Sequence, residues 1–258
     1  MSAEVHPSAI VDRRARLAAG VSVGPYSVIG PQVEIGEGTV IGPHVVLTGR
    51  TKIGRNNRIW QFSSIGETPQ DKKYDDEDTA VEIGDGNTIR EYVTINRGTA
   101  ADAGVTRVGN DNWIMANVHF AHDCQVGSHT IFANLCGLAG HVKIEDYVIL
   151  GGATLVHQFV RVGAHSFTGM GTYLDRDLPP FVRAAGNMAQ PYGINTVGLR
   201  RRGFGASIDA LKRAYRTLYR SGLSQDEARR ELETQAKDCA EVRRLLDFLN
   251  ASERGYIR

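Results

Sequence analysis

Five of the eight histidines fall between residues 119 and 157, as His119, His122, His129, His141 and His157, and His165 follows just beyond. Imidazole titrates near neutrality, so such a cluster is where a proton could be taken from a hydroxyl or a metal ion held. Counted in steps of 18, the positions align: His122, then Gly140 beside His141, then Gln158 beside His157. Asp123 directly follows His122 and is the residue type that orients an imidazole ring. A glycine N–H can approach and stabilise a developing oxyanion. A base, a supporting carboxylate and an oxyanion donor in one row point to acyl transfer. A nucleophilic triad fits less well, because no serine or cysteine sits in a recognisable elbow. His6, His44 and His129 lie away from this row and read as solvated surface residues.

The step of 18 comes from an internal repeat. Apolar residues recur every six positions without a gap from Val5 through Val11, Leu17, Val23, Ile29, Ile35, Ile41, Leu47, Ile53 and Ile59 to Ile65. The series resumes at Ile83, Ile89 and Ile95, shifts by one residue, and runs on from Val108 to Val162. Two positions before each lies a small or β-branched residue, such as Ala9, Val21, Ser27, Val45, Cys124 or Cys136, and glycine often follows the large one. A short strand with two inward residues and a tight turn fits this pattern. Three such strands close a triangular coil of 18 residues, so the chain is expected to be mainly β, a parallel β-helix of hexapeptides. About eight coils stacked at ~4.8 Å make a prism ~38 Å long. The interruptions near 67–80 and 97–107 read as projecting loops. Cys124 and Cys136 fall in the small inward series and are expected to be buried, inert hydrophobes.

After Pro179, Pro180 and Pro191 the hexapeptide frame is lost. Residues 1–195 are therefore assigned to the β-helix and 196–258 to a C-terminal α-helical domain. Helical spacing appears over 207–221, 224–238 and 240–251, and Ser224 with Glu227 forms a capping box. Residues 200–258 carry 14 Lys and Arg against 9 Asp and Glu, a balance of +5, whereas 1–199 carry 16 against 20. A solvated helical face explains much of this balance, and the sharper reading is a docking surface for an acidic partner or a phosphorylated ligand.

Composition excludes other classes. With 41% hydrophobic and 23% charged residues, the 258-residue chain is of the globular type. No apolar run is long enough for a membrane span, and charged residues crowd the first twenty positions, so a cytoplasmic location is expected. Three cysteines without a CxxC pair provide neither a disulfide framework nor a cysteine-rich zinc site.

The stretches QFSSIGE (61–67), PQDKKY (69–74), AHDCQVG (121–127), LAGHV (138–142), VHQF (156–159) and RRRGF (200–204) resemble the UDP-N-acetylglucosamine acyltransferase family, and the likeness runs over nearly the whole chain. The resemblance implies a left-handed coil and a homotrimer with sites between subunits. It also implies transfer of an (R)-3-hydroxyacyl group from acyl carrier protein to the 3-hydroxyl of UDP-N-acetylglucosamine, in the first step of lipid A biosynthesis. In that reading His122 is the general base, Asp123 supports it and Gly140 offers the oxyanion N–H. His141, His157 and Gln158 bind substrate, Asp71 and Lys73 reach into the site from a neighbouring subunit, and Asn195, Arg201 and Arg202 contact the nucleotide. No metal or other cofactor is implied, and no nucleic-acid partner. Met170 stands where members accepting longer chains have glycine, and Met188 where several have histidine. A methionine closing an apolar groove predicts a ten-carbon acyl chain over fourteen. Val197 stands where an acidic residue is common.

Three other readings stay open from the residues alone. One is an N-acyl variant acting on a 3-amino sugar nucleotide. Another is a zinc enzyme similar to γ-class carbonic anhydrase, with His119, His122 and His141 as ligands. The third is a catalytically silent hexapeptide scaffold.

Overall fold

The computed structural model describes residues 2–258. From Glu4 to Leu174 the chain winds through short parallel strands, most of two residues, separated by turns. They stack into three sheets of nine, nine and eight strands, in each of which neighbours come from successive coils, and two later strands extend the first sheet to eleven. These sheets are the first, second and third faces of a triangular prism, the left-handed parallel β-helix of hexapeptide repeats.

The six-residue frame sets the core. In each two-residue strand the second side chain points inward, so register pairs place like on like, as in Phe120, Leu138, Val156 and Leu174 on the second face. All four are buried, as are Cys124 and Cys136 between them. Burial pushes the Cys124 thiol up to about 12 and Cys136 to about 11, so both stay protonated and unreactive. Coils approach too closely for side chains at some turns: a Cβ on Gly36 would lie 2.6 Å from the carbonyl carbon of Gly54.

Outward residues distinguish the faces. The third presents Arg16, Glu34, Lys52, Glu82, Arg107 and Lys143 at its outward strand positions. The first and second instead expose apolar groups, including Val40, Trp113, Val28 and Leu155. At the corners many turn residues other than glycine take positive φ, among them Asp123 at 59°, His141 at 63° and Phe159 at 65°. That conformation carries a steric cost for a residue with a Cβ. Here it brings equivalent side chains of successive coils into vertical register.

Beyond the two prolines the repeat pattern lapses, yet Val182–Ala185 still pairs in parallel with Phe167–Thr168 and extends the first face. Gln190–Ile194 then turns back against it as an antiparallel strand. The hexapeptide frame misses this hairpin because no third strand of a coil follows it. Helices α1 (Thr196–Arg201), α2 (Ile208–Tyr219), α3 (Gln225–Gln235) and α4 (Ala240–Asn250) complete the chain. Ser224 and Glu227 cap α3 reciprocally. The tail then returns to the last coil, where Asp177 and Gly255 to Ile257 exchange backbone hydrogen bonds.

Candidate active site

Both long insertions leave the prism at one corner, the turn between the second and third faces. Residues 68–79 lie between the strands Ser64–Glu67 and Ala80–Ile83, and residues 97–104 between Thr94–Asn96 and Val105–Val108. The following coils carry His122 and Asp123, then Gly140 and His141, then Gln158 and Phe159 at that same corner. At the equivalent turn position of an earlier coil stands Pro31, so the ladder needs no N–H there. Among the described residues the Gly140 N–H accordingly has no hydrogen-bond acceptor, and the residue is buried.

His122 Nδ1 lies 2.9 Å from Asp123 Oδ2. The Asp123 carboxylate is buried and also accepts the Thr99 N–H at 3.0 Å and the Thr99 hydroxyl at 2.7 Å. Because an ionised carboxylate only accepts, the neutral His122 carries its proton on Nδ1 and leaves a lone pair on Nε2. Burial works to raise the Asp123 carboxyl, but hydrogen bonds from His122 and Thr99 prevail and hold it below the usual range. The bond to Asp123 in turn holds His122 above the ordinary imidazole value against partial burial, and the charges of Asp123, Asp71 and Asp102 add to this. A base strengthened by a buried carboxylate suits proton abstraction from a hydroxyl.

Gly140 adjoins the His122 ring: a Cβ there would stand 2.6 Å from His122 Cε1 and 2.7 Å from Nε2. The ring therefore occupies space that only glycine leaves open. His141 lies edge to face with His122, their centroids 5.0 Å apart, and stacks on Phe159 at 4.3 Å. Its Nδ1 is 2.7 Å from Asp102 Oδ2, on the second loop. His157 contacts Arg254 of the C-terminal tail at 2.9 Å, and Gln158 beside it is exposed. A cleft of about 380 Å³ opens beside His141, lined by Asp102, Phe159, Arg161 and Arg254 among others.

Within one chain the Asp71 charge adds to the upward shift of His122. Lys73 is exposed on the same loop. Asn195, Arg201 and Arg202 are placed elsewhere. Asn195 caps α1, its side chain accepting from Gly198 N–H at 3.2 Å and donating to the His165 carbonyl at 3.0 Å. Arg202 sits over the Tyr147 ring, 5.2 Å from its centroid, at the corner between the third and first faces, while Arg201 is exposed nearby in sequence. Met170 is 83% exposed at the remaining corner, beyond Leu155 on the second face, and Met188 is 48% exposed. One chain thus gathers His122, Asp123, Gly140 and His141 but leaves the arginines on another edge.

His122, Asp123 and His141 present ligand atoms within 4.8 Å of one another. The Asp123 oxygens are already committed to Thr99 and His122, however, and His119 turns its Nδ1 to the Thr94 hydroxyl at 2.7 Å. Thr99, Asp102 and Arg254 are contacts that the repeat pattern does not reveal, because they sit in an insertion or in the tail, whereas Thr94 faces His119 in strand register one coil earlier.

A stacked hexapeptide coil with a histidine and carboxylate pair beside a free glycine amide defines a transferase of the hexapeptide class. Residues 14–49, 32–67 and 106–140 match the bacterial transferase hexapeptide model, and 177–257 match that for domain 2 of UDP-N-acetylglucosamine O-acyltransferase. Proteins named acyl-(acyl-carrier-protein) UDP-N-acetylglucosamine O-acyltransferase are similar along their whole length. That of Thiobacillus denitrificans is 59% identical over 99% of this chain and 100% of its own, and that of a Janthinobacterium strain 58% over 98% and 99%. The crystal structure of UDP-N-acetylglucosamine O-acyltransferase from Moraxella catarrhalis superposes with a TM-score of 0.95 at 46% identity, covering 98% of this chain and 99% of that one. The Francisella novicida UDP-N-acetylglucosamine acyltransferase gives 0.96 at 43%, covering 98% and 94%. The chain belongs to the UDP-N-acetylglucosamine O-acyltransferase family and is an acyltransferase.

Proposed function

We propose that the protein moves an (R)-3-hydroxyacyl group from acyl carrier protein to the 3-hydroxyl of UDP-N-acetylglucosamine, in lipid A biosynthesis in the cytoplasm. The observation that carries this reading is the His122 and Asp123 pair with its free Nε2 beside the unpartnered Gly140 N–H. His122 Nε2 takes the proton of the sugar hydroxyl as its oxygen attacks the thioester carbonyl. The oxyanion that forms is held by the Gly140 N–H. Collapse breaks the carbon–sulfur bond, and the carrier's thiol leaves with the proton returned from His122.

His141, His157 and Gln158 bind the sugar, with Asp71 and Lys73 over it, and Asn195, Arg201 and Arg202 take the nucleotide end, where arginine suits a diphosphate. The separation of the two sets on one chain supports a homotrimer in which one subunit's histidine corner meets another's arginine edge. The apolar outward residues of the first and second faces suit such packing, and the charged third face suits water. Arg213, Arg216 and Arg220 are exposed on or just after α2 and offer the acidic carrier protein a basic dock.

Met170 and Met188 cap the acyl groove and favour ten carbons over fourteen. One assay tests the reading: purified protein and its His122→Ala variant, with 3-hydroxydecanoyl or 3-hydroxymyristoyl carrier protein and UDP-N-acetylglucosamine. The expected result is an O-acylated sugar nucleotide, faster from the decanoyl donor, and a loss of about 10³-fold in the variant. No product, or an undiminished variant, sinks the mechanism; equal or faster use of the longer donor sinks the role of Met170.

A further inference from the structure

Next to the His122 pair stands a second histidine and carboxylate pair whose carboxylate comes from an insertion and not from the repeat. His141 Nδ1 meets Asp102 Oδ2 at 2.7 Å. Asp123 Oδ2 is 3.9 Å from the same nitrogen, too far for a hydrogen bond, so Asp102 alone holds it. Phe159 lies parallel to the imidazole, at an interplanar angle of 6°, and fixes the ring plane. The Asp102 loop is itself tied down on both sides of the site. Thr99 donates to Asp123, and the Ala100 N–H donates to Glu77 of the first loop at 2.6 Å. Arg97, at the loop's base, reaches the Tyr74 hydroxyl at 2.8 Å. One loop therefore fixes both histidines, His122 through Thr99 and Asp123, and His141 directly.

We propose that Asp102 is a positioning residue that locks His141 as the Nδ1–H tautomer, so that its Nε2 lone pair accepts a hydrogen bond from the sugar acceptor. Since a carboxylate cannot donate, Asp102 dictates which ring nitrogen carries the proton. The remaining nitrogen then selects a donor on the substrate, a hydroxyl or an amide N–H, both of which an N-acetylated sugar carries. Asp102 touches no reacting atom and acts only through His141. The proposal rests on the acyl-transfer reading for the identity of the sugar, but the tautomer itself does not.

Two measurements separate these layers. Nitrogen-15 NMR of ring-labelled histidines in the free protein should show His141 protonated at Nδ1, and Asp102→Ala should shift it toward the Nε2–H form. An Nε2–H tautomer in the unaltered protein overturns the proposal. In steady-state kinetics, Asp102→Ala should raise KM for UDP-N-acetylglucosamine about tenfold with a smaller change in kcat, the scale of one charge-assisted hydrogen bond. Asp102→Glu should recover part of that loss. In a His141→Ala background the Asp102 substitution should add nothing further, because the partner it acts through is gone. A loss of equal size in both backgrounds, or no rise in KM, contradicts the positioning role. A protein with the expected tautomer that does not acylate UDP-N-acetylglucosamine would instead refute only the functional reading.

Discussion

At the corner between the third and first faces, His129, Tyr147, His165 and Phe181 stack in one column, with neighbouring centroids 4.8, 4.8 and 5.7 Å apart. His165 is buried there, its Nδ1 has no partner among the described residues, and Phe204 closes over it edge-on. Burial drives its pKa down to about 4, with help from the charges of Arg202 and Arg244. At the next corner His122 and His141 occupy equivalent turns, but each meets a carboxylate, and His122 is shifted up. The same repeat therefore makes a neutral structural imidazole at one edge and a basic one at another. The coil itself supplies Asp123 to His122, and an insertion adds Thr99, which holds Asp123, and Asp102, which meets His141, both on residues the hexapeptide frame does not contain. The repeat places the histidines at this corner, and the loop that interrupts it earlier in the chain returns to hold them.

This contrast can be broken most severely at Asp123. Asp123→Asn keeps the shape but replaces an acceptor that organises Thr99 and His122, and acyl transfer should fall by about 10³-fold with the fold retained. A loss below tenfold would mean that the carboxylate is not what separates the two corners. The second test concerns His165. With a folded pKa of about 4 and an ordinary value near 6.5 when unfolded, the unfolded chain binds the proton first as pH falls. Stability is thus undiminished above about pH 6.5 and declines toward pH 4, by about 3 kcal/mol when complete. His165→Phe, which continues the aromatic column, should flatten that part of the denaturant-unfolding profile while leaving turnover near that of the parent. An unchanged acid slope would show that His165 is not the residue responsible. The third and smallest effect is Gly140→Ala. Its added Cβ would sit against the His122 ring, displacing the base while leaving the backbone N–H in place. A displacement of about 1 Å lowers the rate about 10²-fold. The melting temperature should move little, because the ring can rotate aside. Full activity would contradict the close approach.

Much of the coil is legible in the amino-acid sequence. An inward side chain is required every six residues, and a narrow triangular core accepts only aliphatic groups of similar size, so Ile29, Leu47 and Ile65 announce their own register. His122, Asp123 and Gly140 are legible for the same reason, being two neighbours and a residue one coil away. Thr99 and Asp102 are not, because an inserted loop has no period to count. The hairpin ending at Ile194 escapes too, since its parallel strand completes no further coil. Asn195 is a different case: its residue type suits both a ligand contact and a helix cap, and only the bonds to Gly198 and His165 reveal the second use.

The central claim is that His122 acts as a base whose strength Asp123 sets. It is tested most directly by the pH dependence of kcat/KM for the parent and Asp123→Asn proteins. His122 must be neutral to take a proton, so activity should fall as pH drops through its pKa in the free enzyme. Because that pKa is raised, the parent's acid limb should lie above the ordinary imidazole value of about 6.5, and removing the Asp123 charge should move it to lower pH. An acid limb that lies below that value, or that does not move in the variant, would contradict the account.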